Sequence, residues 1–193
     1  MSRPVRAFVG LGSNLDRPLE QVRAAVTALS TLRATRVVKA SSFYRSPPMG
    51  PQDQPYFVNA VAVIDTGLSA RALLEQLQAL EVRAGRERGR RWGERVLDLD
   101  LLLYGAQQST DPVLRLPHPG IARRAFVLVP LQEVAPRLAI PGLGPVSTLR
   151  AAVDCSRLQV LRNGRWRRLS PAVGGQTIQA VDKIQVRPPR RQP

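Results

Sequence analysis

The sequence predicts an α+β fold with a mostly antiparallel sheet. Three observations carry that reading: short apolar strand-like runs, two amphipathic helical stretches that begin at capping residues, and the order β, α, β, β, α, β in which they come. At 193 residues the chain is long enough for one domain with a substantial core. No run of 18 apolar residues occurs, and Met-Ser-Arg-Pro-Val-Arg enters a strand without the apolar stretch of a signal peptide, so a cytoplasmic protein with no membrane contact is expected. The single cysteine, Cys155, allows neither an intrachain disulfide nor a zinc cluster.

Val5 to Leu11 reads as the first strand, ending at Gly10-Leu11-Gly12-Ser13-Asn14. A helix from Arg17 to Leu32 follows. Asp16 is placed to cap it, Pro18 and Glu20 suit its first turn, and Leu19, Val22, Val26, Leu29 and Leu32 mark one apolar face. Strand, Gly-x-Gly and helix together invite a dinucleotide reading. Leu15 stands where the third glycine would fall and no Walker lysine follows, so the glycines are expected to permit a tight turn instead.

Val37 to Arg45 reads as a second strand, and Ser46 to Pro55, with four prolines, as a stiffened loop. Tyr56 to Ile64 is the third strand. Its one strongly polar residue, Asn59, shares a face with Phe57, Val61 and Val63 and needs partners for its amide if buried. Ser69 caps a helix from Ala70 to Ala84 whose Leu73, Leu74, Leu77 and Leu80 face inward and whose end is marked by Gly85. An arginine-rich loop leads into a strand that closes at Gly105 and turns toward a short hairpin. Leu116 to Gly120 is another stiff loop and carries the only histidine, His118; a helix from Ala122 to Glu133, bent or restarted at Pro130, follows.

This order is that of a ferredoxin-like sandwich, with helices on one side of the sheet. Residues 1–156 are expected to form the domain and residues 157–193 a basic extension. In the extension, Asn163-Gly164 centres a hairpin from Leu158 to Leu169, a short strand is expected near Ile184 to Val186, and the rest is expected to be mobile. The formal charge is +15, and nine Lys/Arg against two Asp lie after residue 150. That balance points to an anionic partner, met either by a phosphate site or by a basic tail.

The stretch on which the chain centres is Arg91-Trp92-Gly93-Glu94-Arg95-Val96-Leu97-Asp98-Leu99-Asp100. Alternation puts Asp98 and Asp100 on one strand face, about 6.6 Å apart at Cα, with Leu97, Leu99, Leu101 and Leu103 on the other. Buried side by side, two carboxylates raise each other's pKa; a divalent cation relieves the repulsion, and Mg2+ takes one or two carboxylates and completes its shell with water and phosphate oxygens. Arg86, Arg88, Arg90, Arg91 and Arg95 suit phosphate. Taken alone, Asp-x-Asp is read equally well as a solvated pair facing a charged loop.

Four strings in order give the chain a specific resemblance: Gly10-Leu11-Gly12-Ser13-Asn14-Leu15, Ser42 through Pro55, Arg91-Trp92-Gly93 through Asp100, and Pro117-His118 followed by Arg124-Ala125-Phe126. Over about residues 5 to 136 it resembles the 6-hydroxymethyl-dihydropterin pyrophosphokinases of folate biosynthesis. The resemblance implies transfer of pyrophosphate from ATP to the hydroxymethyl group of the reduced pterin, with release of AMP. It also implies that Asp98 and Asp100 hold two Mg2+ ions, with Arg86 and Arg95 joining them as catalytic residues. Ser46, Pro47, Met49, Phe57, Asn59, Trp92 and Phe126 would take the pterin. Gln78, Glu81, Arg86, Arg88, Trp92, Arg95, Leu101, His118 and Arg124 would take ATP, with Arg88, Trp92 and Arg95 on a loop that closes over both substrates. A monomer is expected.

A basic RNA-binding module of ferredoxin-like topology is the alternative. It requires aromatic residues on an exposed sheet face, whereas aromatics are only 5% of the chain and two aspartates sit where phosphate would lie. Nucleic acid is therefore not the expected partner.

Overall fold

β1 (Val5–Ser13) is apolar on both faces and is paired along both of its edges in the sheet; the structure, a computed structural model, describes residues 3–85 and 93–169. After it come α1 (Pro18–Leu29), β2 (Thr35–Ala40), β3 (Tyr44–Ser46), β4 (Phe57–Thr66), α2 (Ala70–Arg83) and β5 (Asp98–Tyr104). A small hairpin of β6 (Ser109–Thr110) and β7 (Arg115–Leu116) precedes a 3-10 turn (Ile121–Arg123) and α3 (Ala125–Val134). The chain continues through β8 (Ala139–Ile140), β9 (Gly144–Pro145), α4 (Val146–Ala151), β10 (Gln159–Arg162) and β11 (Arg165–Arg168).

Seven strands form the main sheet in the order β11-β10-β3-β4-β1-β5, with β2 also paired to β4, and every pairing is antiparallel. This is the α+β, ferredoxin-like arrangement that the element order predicts. One expectation is corrected: helices cover both faces. Ala7, Val9 and Leu11 of β1, with Ala60, Ala62 and Ile64 of β4 and Leu99 and Leu101 of β5, pack against α1 and α2. Phe8, Val61, Val63 and Leu102 on the other face pack against Val127, Leu128 and Leu131 of α3 and Val146 of α4. α3 is buried continuously from Val127 to Leu131, the mark of a helix enclosed between layers, and it runs on through Pro130 without restarting.

The predicted strand Val37 to Arg45 is broken in two. β2 pairs one half of β4 and β3 the other. Between them the Ser41 hydroxyl replaces a ladder partner, its Oγ accepting the Val61 N–H at 3.0 Å. A serine that serves the backbone in this way lets a strand bend without leaving a buried amide unpaired.

α1 starts and stops differently from expectation. Asp16 and Arg17 are both left-handed (φ 48 and 59), so no Asp16 side chain caps the helix. At the other end the hydroxyls of Ser30 and Thr31 bond back to the carbonyls of Thr27 and Ala28 at 2.6 and 2.8 Å and close the helix one turn before Leu32. α2 follows the prediction, with Ser69 Oγ accepting the Ala72 N–H at 3.2 Å. In β5 a pairing irregularity opposite Phe8 and Val9 turns Leu103 to the α3 face, away from Leu97, Leu99 and Leu101.

The Asn163-Gly164 hairpin forms as predicted, both residues having positive φ (49 and 70). It adds to the edge of β3 through Gln159 opposite Arg45 and Val160 opposite Tyr44. Residues 159–168 of the extension are thus built into the main sheet, with Leu161 and Trp166 on the α1 side. The strand expected near Ile184 to Val186 and the tail around it lie outside the described residues.

Candidate active site

The site follows from the register of three strands. Gly12 stands opposite Asn59 of β4 on one side and Asp98 of β5 on the other; Gly10 stands between Val61 and Asp100. A Cβ on Gly12 would meet Asn59 Oδ1 at 3.4 Å and Asp98 Cβ at 4.0 Å. The expected tight turn is therefore corrected: both glycines lie inside β1, where the lack of a side chain leaves an open floor between an amide and two carboxylates. A cavity of about 310 Å³ opens over this floor.

One end of the cavity is largely apolar. Phe57 from β4 and Phe126 from the start of α3 line it, with Pro47, Met49 and Gly50 of the proline-rich loop. Asn59 is buried at its base, and its Nδ2 donates to Ser46 Oγ at 2.9 Å. Such an end, two aromatic side chains and a buried amide lining one cavity, suits a flat heterocycle with polar edges.

The other end is charged. Arg95 pairs with Asp98, and Arg124 Nη1 lies 3.3 Å from Asp100 Oδ2. His118 Nε2 stands 3.7 Å from the same oxygen while its Nδ1 accepts the Gly120 N–H at 3.1 Å, which assigns the ring proton to Nε2. Burial pushes the Asp100 carboxyl above the ordinary range and the charge of Asp98 adds to it, against the pull of His118, Arg124 and Arg95. Burial also pushes His118 down, which favours its neutral form, against the pull of Asp100.

Two half-buried carboxylates, one of them held high, fit a divalent cation. Among the described residues no group of three or more His, Cys, Asp or Glu forms a cage. Mg2+ does not need one, since it keeps water and takes substrate phosphate oxygens beside one or two carboxylates.

Most residues expected at the site line this one cavity: Ser46, Pro47, Met49, Phe57, Asn59 and Phe126 at the apolar end, Arg95, Asp98, Asp100, His118 and Arg124 at the charged end. Three others are elsewhere. Gln78 is exposed on α2. Glu81 is 2% exposed, and its Oε1 accepts the Leu99 N–H at 2.7 Å, so it supports the strand between the aspartates from outside the cavity. Leu101 is one residue out of phase with Asp100, which buries its side chain in the α1 and α2 core. Arg86, Arg88 and Trp92 lie outside the described residues.

Asn14 was not singled out by its chemistry. It is 2% exposed and joins three segments. Its N–H and Oδ1 bond the carbonyl and N–H of Arg95 at 3.1 and 2.8 Å, while Nδ2 donates to Gln54 Oε1 and the Pro55 carbonyl at 3.1 and 3.2 Å. Its sequence signals are its place in the Gly10 to Leu15 string and a compact amide directly after a strand.

Residues 8–136 match the family model of 7,8-dihydro-6-hydroxymethylpterin-pyrophosphokinase. The chain belongs to that family. All of the cavity residues fall within the matched span of this pyrophosphokinase, whereas β10 and β11 lie beyond it. A 2-amino-4-hydroxy-6-hydroxymethyldihydropteridine pyrophosphokinase of Haemophilus influenzae is 53% identical over 137 residues, 71% of this chain and 86% of the relative. One from Pseudomonas aeruginosa is 52% identical over 136 residues, 70% of this chain and 84% of that protein. In fold, the pyrophosphokinase resembles wild-type Plasmodium falciparum HPPK-DHPS, with a TM-score of 0.59 at 13% identity over 78% of this chain; it spans 45% of that longer chain. The RNA-binding alternative loses its support here, since the sheet face it would expose is covered by α3 and α4.

Proposed function

We infer that this pyrophosphokinase transfers pyrophosphate from ATP to the hydroxymethyl oxygen of 6-hydroxymethyl-7,8-dihydropterin, releasing AMP, in folate biosynthesis. The observation that carries the reading is the joining, over one glycine floor, of the Phe57, Phe126 and Asn59 end to the Asp98, Asp100, His118 and Arg124 end.

In this reading Phe57 and Phe126 cover the two faces of the pterin, and Asn59 with backbone groups of Ser46 and Met49 meets its edge. Arg95, Arg124 and His118 turn from the aspartates toward the triphosphate when it enters, exchanging one anionic partner for another. Two Mg2+ ions held by Asp98 and Asp100 would, when bound, supply charge neutralisation across the triphosphate. The hydroxymethyl oxygen then forms a bond to the β-phosphorus while the bond from that phosphorus to the oxygen kept by AMP breaks. The side chains around it contribute alignment, charge stabilisation and exclusion of water. One chain supplies both ends of the cavity, which fits action as a monomer, and the single cysteine fits a reducing cytoplasm.

A product assay tests the proposal. AMP should accumulate only when ATP, reduced pterin and Mg2+ are all present, and ADP as the nucleotide product would contradict it.

A further inference from the structure

Near its C-terminal end α3 carries a carboxylate, Glu133, that is engaged by Ser42 in the bend between β2 and β3 and by Tyr44 at the start of β3. The Ser42 N–H donates to Glu133 Oε1 and Oε2 at 3.1 and 3.0 Å, the Ser42 hydroxyl to Oε1 at 3.0 Å and the Tyr44 hydroxyl to Oε2 at 2.7 Å. Lys39 Nζ adds contacts of 3.3 Å to each of the Glu133 and Val134 carbonyls, a cation at the helix C-terminus. Tyr44 is fully buried, and burial together with the adjacent carboxylate keeps its hydroxyl protonated as a donor.

These bonds bear on the cavity through two short spans. Glu133 follows Phe126 by seven residues, two helical turns, so the two lie on the same side of α3. Tyr44 precedes Ser46 by two residues on the same face of β3 and stands opposite Asn59 in β4. The wall bearing Phe126 and the floor bearing Ser46 and Asn59 are thus tied together beside the slot. Apolar packing holds α3 on the sheet but tolerates small slides and rotations; bonds to a backbone amide and two hydroxyls are directional and do not.

We propose that Glu133 is a positioning residue of this enzyme, setting the separation between Phe126 and the Ser46 and Asn59 edge and so the fit of the slot to the pterin ring. The proposal rests on the pterin reading of that slot. Glu133→Gln keeps the shape but leaves one carbonyl oxygen where the Ser42 amide and two hydroxyls now find two; Tyr44→Phe removes a single donor.

Calorimetry of 6-hydroxymethyl-7,8-dihydropterin and of a nonhydrolysable ATP analogue, with urea unfolding of the same proteins, tests it. The pterin should bind ~10-fold more weakly to Glu133→Gln and ~3-fold more weakly to Tyr44→Phe, with the analogue within about twofold of wild type in both and the pterin KM rising more than kcat falls. Pterin affinity unchanged in Tyr44→Phe and in a folded Glu133→Gln, or pterin and nucleotide affinity falling together, overturns the proposal. Should Glu133→Gln fail to fold, Tyr44→Phe alone decides. Failure of the wild-type protein to bind the pterin overturns the slot reading and this proposal with it, whereas wild-type binding with unchanged variants removes only the role of Glu133.

Discussion

Asn14 clasps Arg95 on both sides, donating its own N–H to the Arg95 carbonyl at 3.1 Å and accepting the Arg95 N–H on Oδ1 at 2.8 Å. Arg95 in turn pairs with Asp98, so a buried amide at the end of β1 sets the guanidinium beside the charged end of the cavity. Asn14→Ala deprives the part-buried Arg95 N–H of its acceptor. The expected outcome is a loss of about 1–3 kcal/mol in urea unfolding together with a ~10-fold fall in turnover. A variant as stable as wild type would show that the clasp is ornamental.

Asp98→Asn and Asp100→Asn are each expected to cut turnover by ~10²-fold or more with the fold retained, because each removes charge that the reaction needs. The two differ in the metal-free protein. Burial raises the Asp100 carboxyl in the folded state, so its contribution to stability is present at acid pH and is lost as pH rises through that raised value. Metal-free Asp100→Asn should therefore melt above wild type at pH 8, and the gap should close as the pH falls toward the ordinary carboxylate range. A lower melting temperature for Asp100→Asn at pH 8 would contradict the burial argument.

Gly12→Ala places a methyl group 3.4 Å from Asn59 Oδ1 on the cavity floor. Gly12 sits in regular strand without a positive φ, so the cost falls on the slot and not on the backbone. Pterin affinity should drop ~10-fold while the ATP analogue binds within about twofold of wild type, as calorimetry can show. Equal losses for both ligands would place the floor's effect elsewhere.

How far the sequence could be read follows from which interactions are local. Asp98, Asp100, Asn59 and Phe57 were legible because strand alternation and the resemblance both place them, Phe126 through the resemblance alone, and β5, β4 and α3 bring them together. The strand glycines were misread as a turn because Gly10 and Gly12 have neighbours 47 to 90 positions away, at Asn59, Val61, Asp98 and Asp100, which only the register reveals. The break at Ser41 and Ser42 was invisible for a similar reason: their partners, Val61 and Glu133, come from β4 and α3. The cover of the second face by α3 depends on a chain reversal after His118 that no helical periodicity records.

The C-terminal hairpin gives a prediction on stability. Leu158, Val160 and Leu161 are buried, and β10 occupies the edge of β3. Ending the chain at Ser156 should destabilise it by roughly 1.5–3 kcal/mol for each of these side chains. Ending it at Leu169 keeps the hairpin and should leave unfolding and both substrate constants close to wild type. Urea titration of the two truncations separates the outcomes, and equal stability would contradict the pairing of β10 with β3.

The most direct test follows the β-phosphorus of ATP. With ATP labelled at that atom and separately in adenine, one turnover in the presence of 6-hydroxymethyl-7,8-dihydropterin and Mg2+ should put the β label on the pterin and the adenine label in AMP, in equal amounts. Recovery of the β label in ADP, or of labelled AMP without a labelled pterin, would contradict the account.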